Sequence, residues 1–146
     1  MVAGAIFAMF EMVMAAIQMG GEAFFMPLRM IGGIALGQQA LSPETPLLVA
    51  GGAGLVVHMM LSAIYGAGVA LAAAIVPQLR AGTVALVAWA SLAGFLLWMV
   101  NFYVVAPVAG WRWFPDETDP LIQFVAHTFL YGSVLGLYLD RFVRSR

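Results

Sequence analysis

Two histidines and one carboxylate are the residues of this chain best placed to do chemistry. His58 and His127 each fall inside a long apolar stretch, and Glu11 lies in the middle of another. An ionisable group in hydrocarbon is costly unless it is paired, so each must face a protein interior or bind something. Two imidazoles facing each other across a helical bundle are what bis-histidine ligation of a b-type haem requires. His58 stands twelve residues past Pro46 and His127 seven past Pro120. Between helices that start level, this is a depth difference of about 7 Å. Gly51, Gly52, Gly54, Gly66 and Gly132 are small enough nearby to leave room for a porphyrin. The plainer expectation is that each histidine bonds a tyrosine, serine, carboxylate or backbone carbonyl on the next helix. There is no cysteine, which excludes thiolate metal sites and makes copper a weaker variant than haem.

Each of these groups has polar or small company at helical spacing. Gly54, His58, Ser62 and Tyr65 share one face, and Gln123, His127 and Tyr131 share another. Gln18 and Glu22 follow Glu11 by seven and eleven residues. An unpaired carboxylate so placed should be protonated; it either forms a proton-relay or cation site, or is a neutral acid hydrogen-bonded to His58, His127 or Asn101. Asn101, near the end of its own apolar stretch, reads as a group that joins helices.

The elements that must position these residues follow from composition. Of 146 residues, 64% are hydrophobic and only 9% are charged. A globular chain carries about 25% charged residues. So few charges cannot solvate a compact surface, and the class is an all-α integral membrane bundle in contact with lipid. The formal net charge of −1 leaves no basic footprint for nucleic acid. Spans are expected at about 2–19, 47–76, 83–105 and 121–139, with a short interfacial or re-entrant helix at about 28–41. The second span is overlong and should tilt or project. A fifth span over 24–41 is the rival reading.

With four spans, Arg80, Arg141, Arg144 and Arg146 share one side, and Arg29 and Arg112 join the acids on the other. The positive-inside rule then places both termini in the cytoplasm. Tyr103, Trp111, Trp113 and Phe114 would form an aromatic belt on the outer face. The tail from Asp140 to Arg146 would anchor on anionic headgroups. The first stretch lacks the leading positive charge of a signal peptide.

Two loops look alike: Ser42-Pro43-Glu44-Thr45-Pro46, and Pro115-Asp116-Glu117-Thr118-Asp119-Pro120. Each leads to a helix with one histidine and then Tyr-Gly. The likeness suggests two helical hairpins in direct repeat. Gly132 and Gly136, extended by Thr128, and the strip Gly66, Ala70 and Ala74 would let helices approach closely, within the bundle or between subunits. Met9, Met12, Met14 and Met19 read as packing or lipid-facing groups. There is no Walker loop, nucleophile elbow or HExxH motif, and without lysine no retinal Schiff base.

Several stretches carry a family resemblance. They are Pro27-Leu28-Arg29-Met30-Ile31 with Gly37, the run from Val57 to Gly66, Asn101-Phe102-Tyr103, and the stretch from Gly110 through Gln123 to Gly132. In these the chain resembles small bacterial four-helix inner-membrane proteins that are often labelled sodium:proline symporter. That label fits poorly, because sodium–solute symporters have many more spans and unwound helices at a central site. The resemblance implies fold and membrane location, and it carries over no catalytic residue. The functional expectation is a non-catalytic accessory or interaction subunit of a larger inner-membrane complex, bound to other subunits or to itself. The alternatives are a haem b electron-transfer protein with His58 and His127 as ligands, and proton or ion passage through Glu11.

Overall fold

Two helices of the N-terminal third end at glycines with positive φ, Gly20 and Gly37. A computed structural model describes residues 1–143; Arg144, Ser145 and Arg146 of the basic tail lie outside the described residues. Helix α1 (Val2–Met19) stops at Gly20, with φ +95°, whose N–H bonds the Ala16 carbonyl. Helix α2 (Met26–Leu36) opens with Pro27 in its first turn and stops at Gly37, with φ +80°. Such φ values are cheap only for glycine. The helix expected over 28–41 therefore ends five residues early, and a separate short turn follows at Gln38–Leu41.

Helices α3 (Leu47–Ile75), α4 (Thr83–Ala109), α5 (Trp113–Asp116) and α6 (Pro120–Phe142) complete the described chain. It contains no strand among the described residues. Helices α1, α3, α4 and α6 are long and apolar enough to cross a membrane. The all-α class and the four apolar helices agree with the sequence reading.

Two helices run past their expected ends. In α4 the turn Asn101–Val105 widens to i→i+5 bonding, and the helix continues to Ala109. Pro107 explains the widening: it lacks an N–H, and its ring displaces the carbonyl four residues back. In α6 a similar wide stretch, Ala126–Ser133, contains His127. Asp119 caps this helix, accepting the Leu121 N–H at 2.8 Å and the Ile122 N–H at 3.3 Å.

Helix α3, with 29 residues, is about 43 Å long, against a hydrocarbon core of about 30 Å. Its N-terminal part is covered by α2. With 11 residues, α2 is about 16 Å long and cannot span. The two run antiparallel: the Leu28 carbonyl lies against Gly54, and the Ala50 carbonyl against Gly32. A Cβ on either glycine would strike those oxygens. Helices α4 and α6 meet in the same way. Gly94 faces the His127 carbonyl, and a Cβ on Gly132 would stand 2.6 Å from the Ala90 carbonyl oxygen. Gly136 packs on Val87. These glycines serve contacts inside the chain.

The loop carrying α5 folds onto α2. Trp113 is buried, its indole N–H donating to the Met30 carbonyl at 3.0 Å. Arg29 donates to the Ala40 and Ser42 carbonyls, both at 3.0 Å, and so closes the chain between α2 and α3. The expected aromatic belt is thus corrected. Trp113 is a packing group in a cap, Trp111 and Phe114 face a cavity, and only Tyr103 is exposed. At the opposite end, Thr83 donates to Asp140 at 3.0 Å and ties the start of α4 to the end of α6.

The two similar loops share one detail: Thr45 bonds back to the Gln39 carbonyl and Thr118 to the Phe114 carbonyl. Their helices differ. Helix α3 is regular throughout, whereas α6 widens at its histidine.

Candidate functional site

Inward-facing polar residues from three long helices, the cap and α1 surround one cavity of about 410 Å³. Glu11, Gln18, His58, Ser62, Tyr65, Asn101, Gln123, His127 and Tyr131 all line it. The helical spacings noted in the sequence bring them there. Gln123, His127 and Tyr131 are four residues apart, and so fall on successive turns of one side of α6.

Phe7 organises the floor. Its ring stacks on His58 with centroids 5.2 Å apart and meets His127 edge-on at 4.7 Å. His58 Nε2 donates to the Gly4 carbonyl at 2.8 Å, and His127 Nδ1 to the Gln123 carbonyl at 2.9 Å. Because a carbonyl only accepts, both nitrogens carry hydrogen. Bis-histidine haem ligation would require Phe7 to leave its place against both rings. It would also require either the Gly4 bond to break or His58 to ligate through Nδ1. The observed arrangement is that of histidines bonded to backbone carbonyls.

Glu11 is 9% exposed. Its Oε2 accepts from the Gln123 side-chain amide at 2.8 Å, while Oε1 has no partner among the described residues. The holder of Glu11 is therefore Gln123, in place of the His58, His127 or Asn101 of the sequence reading. Tyr65 donates to Asn101 Oδ1 at 3.2 Å, and Tyr131 donates to the Ser62 carbonyl at 2.8 Å. Both bonds join neighbouring helices at the cavity wall.

The mouth lies at the cap. Gln18 donates to Asp119 Oδ2 at 3.2 Å, and Glu117 stands beside them on the lining; all three are exposed. The Ile122 and Leu121 backbone N–H groups hold the Asp119 carboxyl below its ordinary pKa, so it is ionised at neutral pH. Glu22 does not join this group. Gly20 turns the chain out of α1 before it, and Glu22 is exposed away from the lining.

Sequence reasoning missed the cap side of the cavity: Met26, Met30, Trp111, Phe114 and Glu117. Their positions depend on a loop folding over α2, which no periodicity encodes. Met14 and Met19, read as lipid-facing or packing groups, also line the cavity, and Met9 and Met19 are exposed. Phe7 had a signal: it precedes Glu11 by four residues and so shares its face. No protein-family model, curated protein or solved structure matches the chain.

Proposed function

We propose that this chain is a non-catalytic bacterial inner-membrane protein, with both termini cytoplasmic, that binds a small amphipathic molecule between its helices. The observation that carries this reading is the capped cavity, with polar groups at its floor and methionine and aromatic walls. Ligand sites are mostly apolar hollows with a few converging polar groups, and this cavity has that composition. The arginines at the α3–α4 turn and on the C-terminal helix support the orientation. The family resemblance supports the bacterial membrane.

Membership of a larger complex is the competing role. It drew on the small size, the absent enzyme motifs, the short loops and the strips of small residues; of the strips, Gly132 and Gly136 are engaged by α4. Gly66 lies by Tyr131 and Leu135. To separate the two roles, the protein is purified in mild detergent beside an Ala15→Phe variant, whose larger side chain obstructs the cavity. Organic extracts of the two are then compared. The proposal expects one small molecule, near one per chain, from the wild type and none from the variant. Identical extracts, with a stoichiometric protein partner in both preparations, would establish the accessory role instead.

A further inference from the structure

The cavity lining holds three carboxyl groups and no arginine or lysine among the described residues. Glu11 lies at its floor and Glu117 and Asp119 at its mouth. The chain has no lysine. Arg29, on the adjoining α2, is turned to the Ala40 and Ser42 carbonyls. The two histidines make carbonyl bonds that their neutral rings can make. Glu11 is nine-tenths buried and its Oε1 lacks a donor among the described residues. A carboxylate oxygen out of water calls for a donor, and most strongly for a charged one. Phe7, Phe102, Trp111 and Phe114 line the same space, and aromatic faces attract cations.

We infer that the ligand is a lipophilic ammonium cation, whose N–H group bonds Glu11 Oε1 while its apolar part lies along Met14, Met26 and Met30. The inference rests on the cavity being the binding site. Glu117 and Asp119 raise the local concentration of such cations at the mouth, an effect that weakens with salt. A neutral or anionic amphiphile of the same shape lacks both the charge pairing and the attraction at the mouth.

Three probes differing only in their head group test this: phenylbutylamine, phenylbutanol and phenylbutyrate. Each is titrated calorimetrically into the full chain in lipid nanodiscs at neutral pH. The expected result is ammonium binding at least about tenfold tighter than the alcohol, with the carboxylate weakest. Glu11→Gln keeps an acceptor for Gln123 and should bring ammonium and alcohol within about threefold of each other. Glu117→Gln should weaken ammonium binding at low salt only. The head-group comparison on the wild-type chain needs no variant to fold. Equal affinity for the alcohol and the ammonium, or an ammonium preference that survives Glu11→Gln, would overturn the cationic ligand and leave the cavity reading intact. Failure of all three probes to bind would overturn both.

Discussion

Gln123 serves two partners at once. Its side-chain amide donates to Glu11 Oε2 at 2.8 Å, and its backbone carbonyl accepts from His127 at 2.9 Å. Gln123→Leu keeps the carbonyl and removes the amide, leaving the buried Glu11 with neither oxygen satisfied. The expected loss is about 1–2 kcal/mol in unfolding titrations in mixed micelles. The double variant Glu11→Leu with Gln123→Leu should recover at least half of it, because two apolar groups leave nothing unpaired. A double variant less stable than Gln123→Leu alone would contradict this account of the pair. Asp119 is a different case, an exposed cap whose pKa is lowered by the Ile122 and Leu121 N–H groups. A lowered folded pKa gives stability that is present above the unfolded value and is lost as pH falls through the folded one. Asp119→Ala should therefore melt below the wild type at neutral pH, and the gap should narrow steadily on acidification. A gap that widens in acid would refute the capping role. At this scale the sequence was informative where helical spacing acts alone, as for Gln123, His127 and Tyr131. It named the wrong neighbours for Glu11, because the choice of Gln123 depends on the relative rotation of α1 and α6.

Helix α3 presents two glycines two residues apart with opposite surroundings. A Cβ on Gly54 would strike the Leu28 carbonyl of α2, while one on Gly52 meets nothing within 4 Å. Gly54→Ala should destabilise the protein by about 1–3 kcal/mol through forced separation of α2 and α3. Gly52→Ala should change stability by less than about 1 kcal/mol, since helix propensity alone is altered. Thermal melts of both variants in one detergent decide this, and equal effects would contradict the close α2–α3 approach. The long helices were readable from hydropathy because each needs only length and apolar content. Two ends were not. The apolar run was read as ending at Val105, yet a widened turn carries α4 past it. The helix expected over about 28–41 runs instead from Met26 to Leu36, because Gly37 ends it. The cap was the least legible element, since it depends on Trp113 reaching Met30 across 83 residues of chain.

At the scale of the whole molecule, four apolar helices and a folded cap enclose a polar-floored space that opens beside Gln18, Glu117 and Asp119. Hydropathy alone disclosed an all-α bundle with four helices long and apolar enough to cross a membrane. That nine polar residues meet in one cavity required the packing of α1 between α3 and α6, which the spacing within each helix does not specify. The central claim is that small molecules reach this floor from water. The chain has no cysteine, so single cysteines can report on it. Leu61 lines the cavity, whereas Ile64, three residues further along the same helix, is exposed on the outer surface, where the bundle would meet lipid. In protein reconstituted in vesicles, Leu61→Cys should react readily with a water-soluble methanethiosulfonate, and Ile64→Cys should not. Labelling of Ile64→Cys with Leu61→Cys inert would contradict the account.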